Sequence, residues 1–193
     1  MTGISYPKPT QKVSKVSNEV LEIITDEFID ILRRKPGTEI FDWSTKKDYH
    51  GFEKTLIRKE ILQPFIERYN LEPEALEISI VLIKSNYPGS VHVHPIAHAL
   101  CPILGEAEGF PNPVNAYALV EENWSPVSEL DSMGMAAGKD KWFPISAGVR
   151  VYNPTNVAHG FSVQGEGQCY FVCIQSPNID QATHDDWVPA KVN

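Results

Sequence analysis

The chain predicts a mainly β protein with a barrel in its C-terminal two thirds and an α-helical N-terminal extension. Two features of the 193 residues carry that expectation. From Leu76 onward short apolar runs (ALEISIVLI, VHVH, ALCPIL, NAYALV, GVRVYN, QCYFVCIQ) alternate with turn residues such as NYPG, the punctuation of a β-barrel. Before that point the apolar residues recur at helical spacing.

The first helix is expected from Ser17 to Lys35, where Val20, Leu21, Ile24, Phe28, Ile31 and Leu32 form one apolar stripe. Ser17 is a good cap, and Arg33, Arg34 and Lys35 suit the negative end of the helix dipole before Pro36-Gly37 stops it. A second helical region is expected over about 52–69, with Pro64 opening a short second helix rather than lying inside one. The organisation is therefore residues 1–75 as a helical extension packed on the barrel, or serving a dimer contact, and 76–193 as the barrel. VQGEGQ before Cys169 reads as a hairpin turn, and no internal repeat is visible. Residues 121–141, EENWSPVSELDSMGMAAGKDK, interrupt the strand texture as a loop insertion, either a lid over a site or a solvated surface segment.

Composition narrows the function classes. With 42% hydrophobic and 10% aromatic residues the chain is globular. A net charge of −8 argues against general affinity for nucleic acid or an anionic membrane. No apolar run approaches a membrane span, and the N-terminus lacks the apolar stretch of a secretory signal, so a cytoplasmic location is expected. Cys101, Cys169 and Cys173 form no paired framework and read as reduced thiols, Cys169 and Cys173 sharing strand parity as small core residues.

Chemistry concentrates in the histidines. His92 and His94, at i and i+2 of a strand, can aim two imidazoles at one point. His98, an even number of residues further on, rejoins that face if the chain stays extended through Pro95, and His159 closes the phrase GVRVYNPTNVAHGF. Imidazole suits iron, manganese, nickel, copper and zinc. A helical zinc-hydrolase arrangement of His94 and His98 fails, because Ile96 offers no acid. His50 and His184 read as surface residues.

These two phrases resemble the paired motifs of the cupin superfamily. His92, His94, His98 and Gly105 fill the places of H-x-H, three or four residues, glutamate, six residues, glycine, with histidine in the acid's place. Gly148, Pro154 and His159 fill those of the second motif, with Asn156 replacing its inner glycine. Asn86 and Val163 replace a glycine and an asparagine. Glu106 cannot restore the missing acid, being about 26 Å of extended chain beyond His98. The resemblance, over 87–176, implies a double-stranded β-helix (jelly-roll barrel), a four-histidine divalent metal site of His92, His94, His98 and His159, and a homodimer.

Four imidazoles on an octahedral ion leave two open positions, and replacing the carboxylate by His98 leaves the centre at +2, which favours anionic ligands. The first-ranked function is a dioxygenase-type oxidoreductase using Fe(II), or manganese, on a small organic substrate. A redox-neutral lyase, decarboxylase or isomerase would need a base, for which Tyr87, Tyr117 and Tyr152 are the candidates. A non-catalytic metal or small-molecule sensor is the third reading. Phe161 is expected to line the cavity and Arg150 to meet an anionic substrate.

Overall fold

In the computed structural model, residues 12–48, 51–178 and 187–193 are described. His50 and His184 lie outside them.

Helix α1 (Asn18–Arg34) begins where the Ser17 side chain accepts the Val20 N–H and ends at Lys35. Its apolar stripe buries Leu21, Ile24, Phe28, Ile29 and Leu32, at roughly 1.5–3 kcal/mol for each large side chain removed from water. The stripe packs on Ile78, Ile80, Leu100, Val172 and Ile174.

The expected helix over about 52–69 is corrected in its first part and at Pro64. Phe52–Leu56 is a strand, because its half-buried residues Phe52, Lys54 and Leu56 recur with period two. It is β2, paired with β1 (Lys47–Asp48) and β3 (Glu77–Ile83). After the four-residue α2 (Gly37–Ile40) comes α3 (Lys59–Arg68), which carries Pro64 inside it. Pro64 lies on the exposed side of α3, where water can satisfy the carbonyl that its missing N–H leaves free.

The remaining strands are β4 (His92–Val93), β5 (His98–Pro102), β6 (Ala116–Glu121), β7 (Trp124–Pro126), β8 (Phe143–Pro144), β9 (Arg150–Asn153), β10 (Ala158–Val163), β11 (Cys169–Ser176) and β12 (Val188–Val192). They form two antiparallel six-stranded sheets, ordered β1-β2-β3-β11-β5-β9 and β7-β12-β4-β10-β6-β8. Within these, β3-β11-β5-β9 faces β4-β10-β6-β8. Numbered as eight successive strands the orders are 1-8-3-6 and 2-7-4-5, which is the strand order of a jelly roll, so the fold is a double-stranded β-helix.

Period-two alternation sorts the side chains into three layers. Val81, Ile83, Ala99, Cys101, Ile103, Val151 and Phe171 meet Ala116, Ala118, Phe161 and Val163 inside the barrel. The outer face of the first sheet is covered by the helices. The outer face of the second carries Val91, Val93, Leu119 and Ala158, packed against Ala137, Ala190 and Val192. The 121–141 insertion supplies β7 and helix α4 (Glu129–Ser132), which pack beside β12 behind the second sheet. No helix among the described residues is long and apolar enough to cross a membrane.

Two positions at which the resembled motifs have glycine hold asparagine in a left-handed turn. Asn86 and Asn156 adopt φ of 60° and 61°, the left-handed region that asparagine tolerates better than other non-glycine residues. The Asn156 turn then places its N–H 2.9 Å from the His94 carbonyl, tying the β9–β10 connection to the segment that carries the histidines.

Candidate metal centre

His92 and His159 sit directly opposite each other on β4 and β10, and His94 follows two residues after His92 on the same face. Gly160 permits the approach. A Cβ there would lie 2.6 Å from the Ser90 carbonyl oxygen, so any larger residue would push β10 away from the segment that leads into His92. The result is a triad whose ring nitrogens lie within 4.8 Å of one another. Ring centroids are 4.5 Å apart for His92–His159, 4.9 Å for His92–His94 and 5.2 Å for His94–His159.

The triad fits a divalent transition ion in donor type and protonation state. His159 Nδ1 is 2.9 Å from the Val157 carbonyl oxygen and His92 Nδ1 is 3.3 Å from that of Ser90. A proton on each Nδ1, donated to its carbonyl, leaves Nε2 as the free lone pair. Burial, reinforced by the neighbouring imidazoles, pushes the His159 pKa down to about 3 and that of His92 well below its usual value. Both rings are therefore neutral at pH 7, the form that binds metal. Trp187 stacks on His92 at 5.4 Å and 28°.

His98 is the correction to the expected four-ligand set. The chain crosses from the second sheet to the first through the bend at Pro95 and Ile96, so the strand parity of His94 does not carry over to β5. His98 and Leu100 face the helices, while Ala99 and Cys101 face the barrel interior. His98 Nε2 lies 2.9 Å from the Val16 carbonyl oxygen and its Nδ1 3.2 Å from the Tyr152 hydroxyl. Ala99, with no donor atom, is the β5 residue that faces the barrel interior beside His98.

The other expected residues separate likewise. Phe161 lies on the triad's face of β10 and stacks on Phe171 at 4.3 Å, forming apolar wall inside the barrel. Arg150 faces outward and pairs with Glu22 and Asp26 of α1, so it is not placed to meet a substrate at the triad. Tyr152 also faces α1, donating to Asn18 Oδ1 at 2.6 Å. Tyr117 shares the parity of Leu119 and points to the outer face of the second sheet. Tyr87 has its hydroxyl 3.5 Å from Ser90 Oγ, and burial raises its pKa.

The wall across from the triad contains residues that the spacing of motifs does not reveal. Pairing sets Glu77, Gln175, Ala99 and Asn153 in one row across β3, β11, β5 and β9. This row is at the histidine end of the barrel, since only residues 95–97 separate His94 from β5 and β9 ends directly before the turn to His159. Glu77 is buried and pairs with Lys54 at 2.5 Å. Asn153 and Gln175 are 4% and 5% exposed, and Asn153 Oδ1 has no hydrogen-bond partner among the described residues. Alternation could have placed each residue on a face, but only the cross-strand register places them together.

No protein-family model matches this chain, and no curated protein matches it by sequence. Among solved structures it is similar to Pac13, a nucleoside dehydratase of Streptomyces, with a TM-score of 0.45 and 9% identity over 79% of this chain and 92% of that one. It is similar to KdgF from Halomonas sp. with a TM-score of 0.46 and 13% identity, over 75% and 99% of the two chains. A protein of Klebsiella pneumoniae with a double-stranded β-helix domain aligns at a TM-score of 0.43 and 11% identity, over 78% and 93%. The fold assignment rests on the strand order of this chain, and the activities named belong to those proteins.

Proposed function

We propose that this protein is a metal-dependent enzyme of the cupin type, with one divalent transition ion, Fe(II) foremost, held by His92, His94 and His159, acting as a dioxygenase-type oxidoreductase on a small anionic organic molecule. The observation that supports it is the convergence of three imidazoles in the barrel, of which burial keeps His92 and His159 neutral. Three ligands gathered on one side of an octahedral ion leave three positions free, one more than the four-histidine set, and such an ion supplies Lewis-acid and one-electron chemistry to what binds there. The chain's own residues do the rest. They contribute no negative charge to the triad, so an anionic chelating group is favoured. Phe161 and Phe171 form an apolar wall against bulk water, and Asn153 Oδ1 offers an acceptor to a hydroxyl or amine of the bound molecule.

A redox-neutral reading has one observation in its favour. Glu77, paired with Lys54 in the wall facing the triad, is a carboxylate able to move a proton, a role that the three tyrosines are not placed to fill. Elemental analysis combined with oxygen uptake separates the two. About one equivalent of iron per chain, lost in His159→Ala, with iron-dependent oxygen consumption on a panel of small hydroxy and keto acids supports the oxygenase. Turnover of the same panel without oxygen moves the assignment to lyase or isomerase chemistry. Wild-type levels of bound metal in all three histidine variants would sink both.

A further inference from the structure

Beyond the row containing Ala99, the inner face of the first sheet carries a second row, Ser79, Cys173, Cys101 and Val151. The pairing of Ile174 with Leu100 and of Gln175 with Ala99 sets Cys173 directly opposite Cys101 on neighbouring antiparallel strands. The Leu104 N–H bonds the Tyr170 carbonyl at 2.9 Å, marking 104/170 as a hydrogen-bonded pair. Alternation from there makes 103/171 and 101/173 the closely approaching, non-hydrogen-bonded pairs, with Cα atoms about 4.5 Å apart. That separation lies inside the range spanned by a disulfide, about 4.4–6.8 Å. Both side chains belong to the barrel interior, and the two thiols interact directly. All three cysteines are free thiols.

We propose that Cys101 and Cys173 form a reversible intramolecular disulfide inside the barrel, a redox-responsive crosslink in the wall that faces the histidine triad. Small-molecule disulfides of the glutathione type are the oxidant. Cys173 is half-buried while Cys101 is 1% exposed, so Cys173 is the sulfur that reacts first. Its thiolate attacks the oxidant's S–S bond, forming a mixed disulfide and releasing one thiolate. The Cys101 thiolate then attacks Cys173 Sγ, closing the internal bond and releasing the second. One external disulfide is reduced to two thiols, two protein thiols are oxidised to one disulfide, and the two protons lost by the cysteines go to the departing thiolates. Burial and the neighbouring thiol hold the Cys101 pKa well above normal, which makes the second step slow and the reduced form the resting one.

The crosslink reaches the first row through two contacts. Asn153 Nδ2 donates to Cys101 Sγ at 3.6 Å, and the Cys173 thiol donates to Gln175 Oε1 at 3.8 Å. Oxidation removes the second donor and moves the first acceptor, so both carboxamides beside Ala99 must re-form their hydrogen bonds.

The test uses the full-length, metal-free chain, which keeps it independent of whether the triad holds an ion. The protein is equilibrated at a series of oxidised-to-reduced glutathione ratios, quenched in acid, alkylated in denaturant and weighed. The expected result is loss of two of the three alkylatable thiols, a mass lower by two hydrogens before alkylation, and a peptide joining Cys101 to Cys173, all reversed by reductant and unchanged in Cys169→Ser. Three alkylatable thiols at every ratio, a stable glutathione adduct that never resolves, or a linkage through Cys169 or between chains would overturn the proposal. Oxidation should also shift the side-chain amide resonances of Asn153 and Gln175, and a crosslink that left both unmoved would overturn the placement of the sulfurs against them.

Discussion

His98 donates its Nε2 proton to the Val16 carbonyl oxygen at 2.9 Å, bonding the barrel to the segment that leads into α1. Lys15 reaches the same region, its ammonium 3.1 Å from Thr155 Oγ1. A histidine of the metal-binding phrase thus holds the helical layer in place. His98→Ala should cost about 1–3 kcal/mol, the penalty for leaving a buried carbonyl unpaired, and should leave metal content at the wild-type level. Urea unfolding and elemental analysis of one preparation check both halves, and loss of metal without loss of stability would return His98 to the ligand set.

Arg150 makes the complementary case on the same outer face. Its guanidinium pairs with Glu22 and Asp26, all three side chains being at least one third exposed. Exposed pairs of this kind contribute about 0–1 kcal/mol. Arg150→Ala should therefore lower stability by no more than about 1 kcal/mol and leave the KM for any anionic substrate unchanged. A large rise in KM with unaltered stability would show that the side chain meets substrate.

The residues that were legible in the sequence are those whose meaning is local. Period two alone puts His92 and His94 on one face, and the helical stripe from Val20 to Leu32 finds its own boundaries through Ser17 and Lys35. Where the reading failed, the cause was a change of register. Counting even steps from His94 to His98 assumes an unbroken strand, but the chain crosses between opposite sheets at Pro95 and Ile96, and in β5 it is Ala99 and not His98 that faces the barrel interior. The 52–56 segment misled because Phe52 and Leu56 also sit one helical turn apart. Asn153, Gln175 and Glu77 carry no motif at all. They acquire a role only when three separate strand pairings bring them into one row.

Acid should destabilise the metal-free protein through the triad. Burial pushes the folded-state pKa of His159 down to about 3, from the 6.5 of a free imidazole, and shifts that of His92 in the same direction. The unfolded chain therefore binds more protons than the folded one between pH 6.5 and about 3. Stability is fully present above that window and falls as pH drops through it, by up to ~1.4 kcal/mol per pH unit for each histidine. Urea midpoints at pH 7 and pH 5 should differ, and His159→Gln should make the difference smaller. A midpoint independent of pH over that interval would mean that the rings are already solvated.

Ala99 gives the sharpest test of the ligand geometry. It faces the interior one residue past His98, between Gln175 and Asn153, and no donor atom stands in its place. Ala99→Glu puts a carboxylate there. If the triad holds the ion, that group is within reach of an open coordination position and lowers the centre's charge from +2 to +1, so Co(II) should bind at least about tenfold more tightly, a gain of about 1.4 kcal/mol. Quenching of Trp187, which stacks on His92, gives the readout. Added volume beside two buried carboxamides also carries a packing cost of about 1–3 kcal/mol, so Ala99→Gln serves as the size-matched control with a neutral head group. Tighter binding in the glutamate variant alone supports coordination from this position. Equal binding in both variants would place the ion elsewhere in the barrel and remove Ala99 from the account of the site.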